Sequence, residues 1–480
     1  MAKKTITRNY IYNLIYQVLV LILPLITTPY ISRVLGAENI GIYSYTLSIS
    51  AYFILFGSLG IALYGKREIA YNQKDRKKYS EIFWEIIIFR AITMIISLLV
   101  FYFVFVNGQN YQMYYKILIL EILASLIDIS WFFQGLEEFK KTVTRNTIVK
   151  IISVICIFVF VKTKADLVKY FWIYVLSIFI GNGTLWFYLP KYIEKLKFKN
   201  LNLLRHIKPT LTLFIPQIAI EVYTILDRTM IGNIIVDKSE VGFYEQSQKV
   251  IKIVLAVITS LGTVMLPRIA TNYADGNKKT VEIYMQKSFN MVFLLAFPMI
   301  FGIIAVSRSF VPVFFGPGYD KVSTLMCAIS PIILLIGLSN VTGTQYLLPT
   351  KRQTQFTISV VCGAVINIIM NSLLIWKLGA IGASIGTVVA ELTVTAVQMY
   401  YVREDFDFKK IFKSSENYLL ASLLMFFVCV IIGRLINDNK ISTIVQVLVG
   451  ASTYAIVLLI LKDKFIFEFL DRAKNKIKGE

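Results

Sequence analysis

One histidine in 480 residues, His206, leaves almost no material for a histidine-based metal or catalytic site. Cysteine is nearly as scarce. Cys156, Cys327, Cys362 and Cys429 all fall inside apolar runs without pair spacing. That pattern argues against a disulfide or a thiolate-bound metal and leaves small core residues as the reading. Acidic residues are few as well, 29 Asp and Glu against 50 Lys and Arg, for a formal charge of +21. Long polar segments are missing too. The longest loops have about twenty residues, too few for a core of their own, so no soluble domain interrupts the chain. No cofactor and no metal are expected.

What the chain has instead is hydrocarbon. It is 56% hydrophobic with a mean hydropathy of +0.66, whereas ordinary domains are under half apolar. Runs of about 20 apolar residues are long enough to cross a bilayer core, and about fourteen such runs can be placed. The first two fall at 10–32 and 41–64, the fifth at 147–161 (short for a span), the seventh at 210–232 and the eighth at 243–266. The basic start, Met1 to Arg8, followed by an apolar run, resembles a signal peptide. The run is too long for one, carries Pro24 and Pro29 and lacks a small-x-small cleavage site, so a retained first helix is expected.

The basic residues set an orientation. With residues in the first or last four positions of a span counted in the adjoining loop, 35 of the 50 Lys and Arg lie on the side of the N-terminus and 11 opposite. Four more, Arg90, Arg228, Lys249 and Lys252, lie within helices. Both termini are therefore expected in the cytoplasm. The positive charge is spread over eight short cytoplasmic segments. Anionic headgroups and the positive-inside rule account for it, and no nucleic-acid partner is expected.

The pattern also repeats. "ENIGIYSY" (Glu38 to Tyr45) recurs as "SEVGFYEQ" (Ser239 to Gln246), matching Gly41 to Gly242 and Tyr43 to Tyr244. "LGIALYGKREIA" (Leu59 to Ala70) recurs as "LGTVMLPRIA" (Leu261 to Ala270), and "QGLEEFKK" (Gln134 to Lys141) as "QYLLPTKR" (Gln345 to Arg352). Duplicated membrane bundles around a central site are the usual architecture of secondary transporters. The expected fold is an all-α polytopic membrane protein. It has a six-helix lobe (1–189), a basic cytoplasmic linker (190–209), a second six-helix lobe (210–402), a loop with two further helices (403–461) and a basic tail (462–480). Linker and tail read as interfacial amphipathic segments. "GAIGASIG" (Gly379 to Gly386) pairs Gly382 with Gly386 at the small-xxx-small spacing, for internal packing or a dimer face. Pro24, Pro29, Pro209, Pro216, Pro298 and Pro331 mark sites for kinks or hinges.

Ionisable residues at membrane depth cost about 2.5–3.5 kcal/mol each at a helix centre and are functional candidates. Glu245, Lys249 and Lys252 stand at i, i+4 and i+7 of the eighth span, hence on one face. Glu221 and Arg228 are seven apart on the seventh, with Asp227 beside Arg228. Glu121 and Asp128 are seven apart on the fourth. Arg90 and Glu391 lie in the third and twelfth. One polar face per helix suits a water-filled cavity. The competing reading is internal pairing, Glu245 closing on Lys249. For Arg90 and Glu121, snorkelling to a membrane face is an equally good account. At the repeat offset Glu245 aligns with Ser44 and Arg228 with Thr27, so the second half carries charge that the first lacks. A cationic wall suits an anionic headgroup, with Arg and Lys as phosphate ligands.

"DISWFFQGLEEFKK" (Asp128 to Lys141), "LDRTMIG" (Leu226 to Gly232), "VGFYEQSQKV" (Val241 to Val250) and the opening "TPYISRVLGAENIGIYSY" (Thr28 to Tyr45) together resemble the Wzx-type polysaccharide flippases. These belong to the multidrug/oligosaccharidyl-lipid/polysaccharide exporter superfamily, and the resemblance covers the whole chain. It implies a V-shaped, MATE-like pair of lobes in the bacterial cytoplasmic membrane. The implied activity is translocation of undecaprenyl-pyrophosphate-linked oligosaccharide from the cytoplasmic to the outer leaflet, for capsule, exopolysaccharide or O-antigen, by alternating access. It further implies a lipid-tail groove at about 417–461, and a polysaccharide polymerase and chain-length machinery as candidate partners. The residues to carry it are Arg228, Lys249 and Lys252 as substrate ligands. Glu221, Asp227, Glu245, Asp128 and Glu391 are the acidic or ion-coupling candidates, for H⁺, Na⁺ or the membrane potential. No covalent bond changes, so no enzyme is expected. The rival within the superfamily is a cation-coupled multidrug exporter, which would favour a more acidic lobe. A membrane glycosyl polymerase would need a sizeable outer loop, and a scramblase or scaffold without directional transport would need no coupling residue.

Overall fold

A computed structural model of the chain describes residues 2–108, 110–195, 201–463, 465 and 467, with the side chains at 2–18, 21, 215–217, 219, 220, 261, 263 and 264 left out. The side chains of the basic start, linker residues 196–200 and nearly all of the basic tail thus lie outside the described residues. Among the described residues the chain is helical, without a strand. Contacts divide it into two compact units, Met1–Gly242 and Phe243–Glu480.

The first unit holds α1 (Ala2–Ser58), α2 (Ile61–Tyr71), α3 (Arg76–Phe101), α4 (Gln112–Leu126), α5 (Ser130–Gly135), α6 (Phe139–Phe160), α7 (Leu167–Trp186) and α8 (Ile207–Ile234). The second begins in the first turn of α9 (Ser239–Ala274). It continues with α10 (Lys278–Phe314), α11 (Asp320–Ile329), α12 (Ile332–Ser339), α13 (Gln353–Leu378), α14 (Ala380–Tyr401), α15 (Phe408–Lys413), α16 (Glu416–Leu435) and α17 (Asn439–Ile460). In the first unit α1 packs on α3, α4, α6 and α8, and α4 on α7; in the second, α13 packs on α14, and α10 on α16 and α17.

Among the described residues twelve stretches are long and apolar enough to cross a bilayer, and this is a multi-pass membrane protein. The difference from about fourteen lies in how two spans are joined and one is described. The expected span 10–32 and most of 41–64 run together in α1, interrupted at Gly36 (φ 79°, ψ 167°), and the end of the second passes through a break at Leu59–Gly60 into α2. The seventh expected span is α8, whose side chains are described only in part. The fifth is not short: α6 has 22 residues, because Lys140, Lys141 and Arg145 form its polar first turns rather than a loop. Pro24 and Pro29 are carried inside α1 and Pro298 inside α10. The interruption of α1 falls instead on a glycine, in a left-handed conformation that a Cβ disfavours.

Local chemistry sets the ends of several helices. Asp75 accepts the amide of Lys78 at the start of α3 (3.1 Å), and Asp438 accepts those of Lys440 and Ile441 at the start of α17 (2.8 and 2.9 Å); both satisfy N–H groups that a helix start leaves open. Apolar residues left outside the packing form a lipid face. On α6 these are Ile148, Ile151, Ile152, Ile155 and Val159, spaced as one side of a helix.

The motif from Asp128 to Lys141 builds the core at one end of the first unit. Trp131, Phe132 and Phe133 are fully buried, with Phe83, Ile61 and Ile86 around them. α2 and α5 approach so closely that a Cβ on Gly135 would lie 2.8 Å from Ile69 and from the Lys66 carbonyl. The two glycines matched by the repeat meet each other. A Cβ on Gly41 would lie 1.7 Å from the carbonyl oxygen of Lys238, and one on Gly242 would lie 2.0 Å from that of Ala37. Small residues let backbones cross in this way inside a bilayer. Gly382 and Gly386 serve internal packing, against the Leu374 carbonyl and the Asn371 side chain of α13.

The linker does more than tether. His206 does not stand in an open basic loop but is 2% exposed. Its Nδ1 lies 2.7 Å from the Tyr64 hydroxyl and its Nε2 2.7 Å from Glu85. Glu85 also accepts the Asn202 amide (2.7 Å) and Arg205 Nε (2.7 Å), so one buried carboxylate of α3 collects three linker residues.

Candidate functional site

In the first unit a polar seam runs between α1, α4, α7 and α8. Thr229 on α8 donates to Ser48 on α1 (2.8 Å), and Tyr45 on α1 donates to Asn233 at the end of α8 (2.5 Å). Deeper in the seam the Glu121 carboxylate of α4 accepts the hydroxyls of Ser50 (2.7 Å) and Tyr174 (2.9 Å). Tyr43 packs its ring on Tyr170, Phe171 and Tyr174, at 4.7, 5.0 and 5.7 Å between centroids. Asp227 is buried on α8. Asp227 and Arg228 lie within electrostatic reach of Tyr52, and Arg228 also of Tyr174. Glu221 is half-buried on the same helix.

Two expectations for this unit need correction. Arg90 and Glu121 do not snorkel: they are 3% and 7% exposed. Arg90 is spent on the backbone carbonyl of Asp128 (2.7 Å) and on Ser125 (3.3 Å). Nor do Glu121 and Asp128 share a helix face, because α4 ends at Leu126 and the seven-residue spacing no longer holds. Asp128 instead caps the next turn, accepting the Ser130 amide (2.9 Å).

In the second unit the charges on α9 follow helical geometry. Lys249 and Glu245 approach to 3.9 Å, the loose i,i+4 pair that was the competing reading. Exposure grows along the stripe, from 17% for the Glu245 side chain to 33% for that of Lys249, and Lys252 is exposed. The buried edge of α9, with Tyr244, Ile251 and Ile258, lies beside this stripe. The Tyr244 hydroxyl is 3.2 Å from Thr387 on α14 and accepts Gln248 Nε2 (2.7 Å). Glu391 is buried one turn beyond Thr387. The structure thus places Glu221, Asp227 and Arg228 on one helix of the first unit, and Glu245, Lys249, Lys252 and Glu391 in the second. Among the described residues no three His, Cys, Asp or Glu gather to hold a metal ion.

The segment for which the resemblance implies a lipid groove, α16 with α17, walls an apolar cavity of about 590 Å³. Its lining includes Val250 and Val254 of α9, Met299 and Gly302 of α10, Met425 of α16, and Gly450 and Tyr454 of α17. Gln446 ties the helices together at its rim, donating to the Cys429 carbonyl (2.8 Å) and accepting from Ser309 (2.7 Å). Such polar bonds hold helices together where lipid cannot.

Sequence reasoning passed over Ser50, Tyr170 and Tyr174. Hydroxyls carry no charge, so a search for intramembrane charge does not register them. Tyr43 and Tyr244 were visible only as repeat matches.

Residues 6–273 match the family model described as polysaccharide biosynthesis protein. The chain belongs to that family. Residues 213–373 of this family member also match the MatE model. A relative in Escherichia coli (strain K12) named "Putative O-antigen transporter" is 26% identical over 84% of this chain and 98% of its own. Among solved structures, the fold is shared with the lipid II flippase MurJ in an inward closed conformation, at TM-score 0.77 and 16% identity over 95% of this chain and 100% of that one. It is also shared with an inward-facing multidrug resistance MATE transporter of the MOP superfamily, at TM-score 0.63 and 11% identity over 80% and 94%.

Proposed function

We propose that this protein is a flippase that carries undecaprenyl-pyrophosphate-linked oligosaccharide repeat units from the cytoplasmic to the outer leaflet of a bacterial cytoplasmic membrane, with both termini in the cytoplasm. The observation that carries the reading is on one helix. α9 bears Lys249 and Lys252 along one stripe, while its Val250 and Val254 line the apolar cavity beside α16 and α17. A polyprenyl pyrophosphate has the same two chemistries, an anionic headgroup on a long hydrocarbon tail. In this reading Lys249 and Lys252 take the pyrophosphate by point charge and the tail lies in the cavity; Arg228, on α8 of the first unit, is a separate candidate for phosphate by guanidinium donation.

The physical need is clear. A sugar pyrophosphate crossing hydrocarbon unaided would leave many polar groups unsatisfied, at several kcal/mol each. A polar path through the protein removes that barrier and breaks no covalent bond. Glu221, Asp227, Glu245 and Glu391 are the coupling candidates for H⁺ or Na⁺; Asp128, occupied as a turn cap, is the weakest of the set. A polymerase and chain-length machinery would receive the product.

The test is leaflet-resolved measurement of lipid-linked repeat units after depletion of the protein in its host. Accumulation on the cytoplasmic face with loss of surface polymer supports the flippase. Unchanged lipid pools and polymer, where no second flippase exists, would overturn it. The MatE match keeps one alternative open, a cation-coupled multidrug exporter, which predicts drug sensitivity on depletion with polymer intact.

A further inference from the structure

A second cavity, of about 540 Å³, lies wholly within the first unit. It is formed where α3 gives way to α4 and where α8 ends. At 1.5 Å per residue α8 is about 40 Å long, so this cavity sits at the opposite end of that helix from the His206 linker contact. Its volume is in the range of about 300–1,000 Å³ typical of ligand pockets. Unlike the cavity beside α17, its walls are polar: Tyr45, Asn110, Tyr111, Tyr115, Asn233 and Lys238 all contribute.

The site is rigidly built. Tyr111 holds a left-handed backbone (φ 59°), a conformation costly to any residue with a Cβ and kept only where surroundings impose it. Its ring meets that of Tyr45 edge to face at 6.0 Å. Lys238 is committed to shaping the wall: its Nζ donates to the carbonyls of Gly232 (2.5 Å) and Ile235 (3.0 Å) and stands 5.3 Å from the Tyr45 ring centre. Tyr45 fills the Asn233 Oδ1 lone pair (2.5 Å). Among the described residues the Asn233 Nδ2, the Asn110 amide and the Tyr111 hydroxyl have no protein partner, which leaves donors and acceptors facing a polar space.

Ring faces beside uncommitted amides and the Tyr111 phenol match a pyranose, whose C–H face stacks on an aromatic ring while its hydroxyls bond at the edge. A phosphate fits poorly. Lys238 is the one cation among the described lining residues, two of its three N–H groups are taken, and Glu38 acts electrostatically on Tyr111. We propose that this pocket is a glycan subsite, taking one or two neutral pyranose rings of the cargo on the outer side of the membrane. The inference rests on the flippase reading and adds to it a place where sugar, rather than pyrophosphate or lipid, is recognised.

The experiment is saturation-transfer NMR on the full-length protein in detergent, with lactose, cellobiose and N,N′-diacetylchitobiose as probes and inorganic pyrophosphate as competitor. Ring protons of at least one disaccharide should take up saturation, and pyrophosphate should not displace it. Tyr111→Ala should weaken binding about tenfold, equivalent to about 1.4 kcal/mol, while Tyr111→Phe, which keeps the ring, should retain it. Asn110→Ala, at an exposed position, should weaken it too. No saturation from any of the three sugars, displacement by pyrophosphate, or wild-type binding by both Tyr111→Ala and Asn110→Ala would overturn the subsite. Depletion in the host separates the two readings. If surface polymer is lost but the sugars do not bind, only the subsite fails; if polymer persists, the flippase reading fails whatever the sugars do.

Discussion

Single side chains decide the chemistry here, and their roles split between charge that serves cargo and charge that serves structure. The proposed function assigns Arg228 and Lys249 to the first group. Arg228→Ala or Lys249→Ala should reduce polymer export about tenfold or more, as expected for losing a charge-assisted hydrogen bond of about 1.5–3 kcal/mol, with membrane insertion unchanged by immunoblot of isolated membranes. Normal polymer at normal expression from both variants would remove the cationic ligands. His206 stands in the second group. It is faced by Glu85, Arg205, Glu68 and Tyr64, and burial lowers its proton affinity more than Glu85 raises it. The fold therefore holds a neutral imidazole, with Nε2–H donating to Glu85 and Nδ1 accepting from Tyr64. A depressed value means that this stability is fully present above about 6.5, the ordinary imidazole pKa, and is lost as pH falls through the lowered one. The Tm of purified protein should drop between pH 7.5 and 5.5, and His206→Gln should flatten that dependence. An unchanged slope in the variant would show that other groups set it. The intramembrane charges stood out by residue type, but the role of His206 did not: it is the one histidine in the sequence, and only the fold brings Glu85 to it from 121 positions away.

Elements meet through glycine and part around cavities, and each arrangement can be tested by adding carbon. Gly41→Ala or Gly242→Ala would push a Cβ into a backbone carbonyl, which no side-chain rotation relieves. Each should destabilise the protein by about 1–3 kcal/mol, read as a lower Tm, while Gly183→Ala, whose nearest neighbour is 4.0 Å away, should not. Gly302 is the converse case. A Cβ there meets only Met425 Cε at 3.9 Å, so Gly302→Leu should fill the apolar cavity and leave Tm unchanged. Displacing two methylenes of a lipid tail at about 0.8 kcal/mol each lowers binding about tenfold, and export should fall with it. Full export from a stable Gly302→Leu protein would take the tail out of this cavity. The repeat in the sequence pointed at Gly41 and Gly242 because both occupy the same place in a motif; that they touch is a fact of packing. The helix-face argument worked for Glu245 and Lys249, which share one uninterrupted helix. It failed for Glu121 and Asp128, where α4 stops two residues too early. Spacing predicts a common face only while the helix lasts.

At the scale of the whole molecule the transport reading makes an energetic demand. Moving two negative charges outward from an inside-negative cell is downhill by about 4–5 kcal/mol per 100 mV. In vesicles carrying the protein and a lipid-linked oligosaccharide, imposing an inside-negative potential at constant pH should speed outward movement. Dependence on a pH or Na⁺ gradient alone would assign the coupling to the carboxylates instead. The sequence by itself determined that this chain is a bundle of membrane helices, because bilayer thickness and the absence of water turn each run of about 20 apolar residues into a helix without reference to its neighbours. It also determined which charges are unusual, since their cost in hydrocarbon depends on depth alone. Only the tertiary structure decided which helices share a core, and it brought the linker's His206 to Glu85 and paired Glu121 with hydroxyls. The reason is that, within lipid, one apolar helix face is as good as another. Partners are chosen there by close backbone approach at small residues and by hydrogen bonds between distant positions, and neither leaves a periodic mark along the chain.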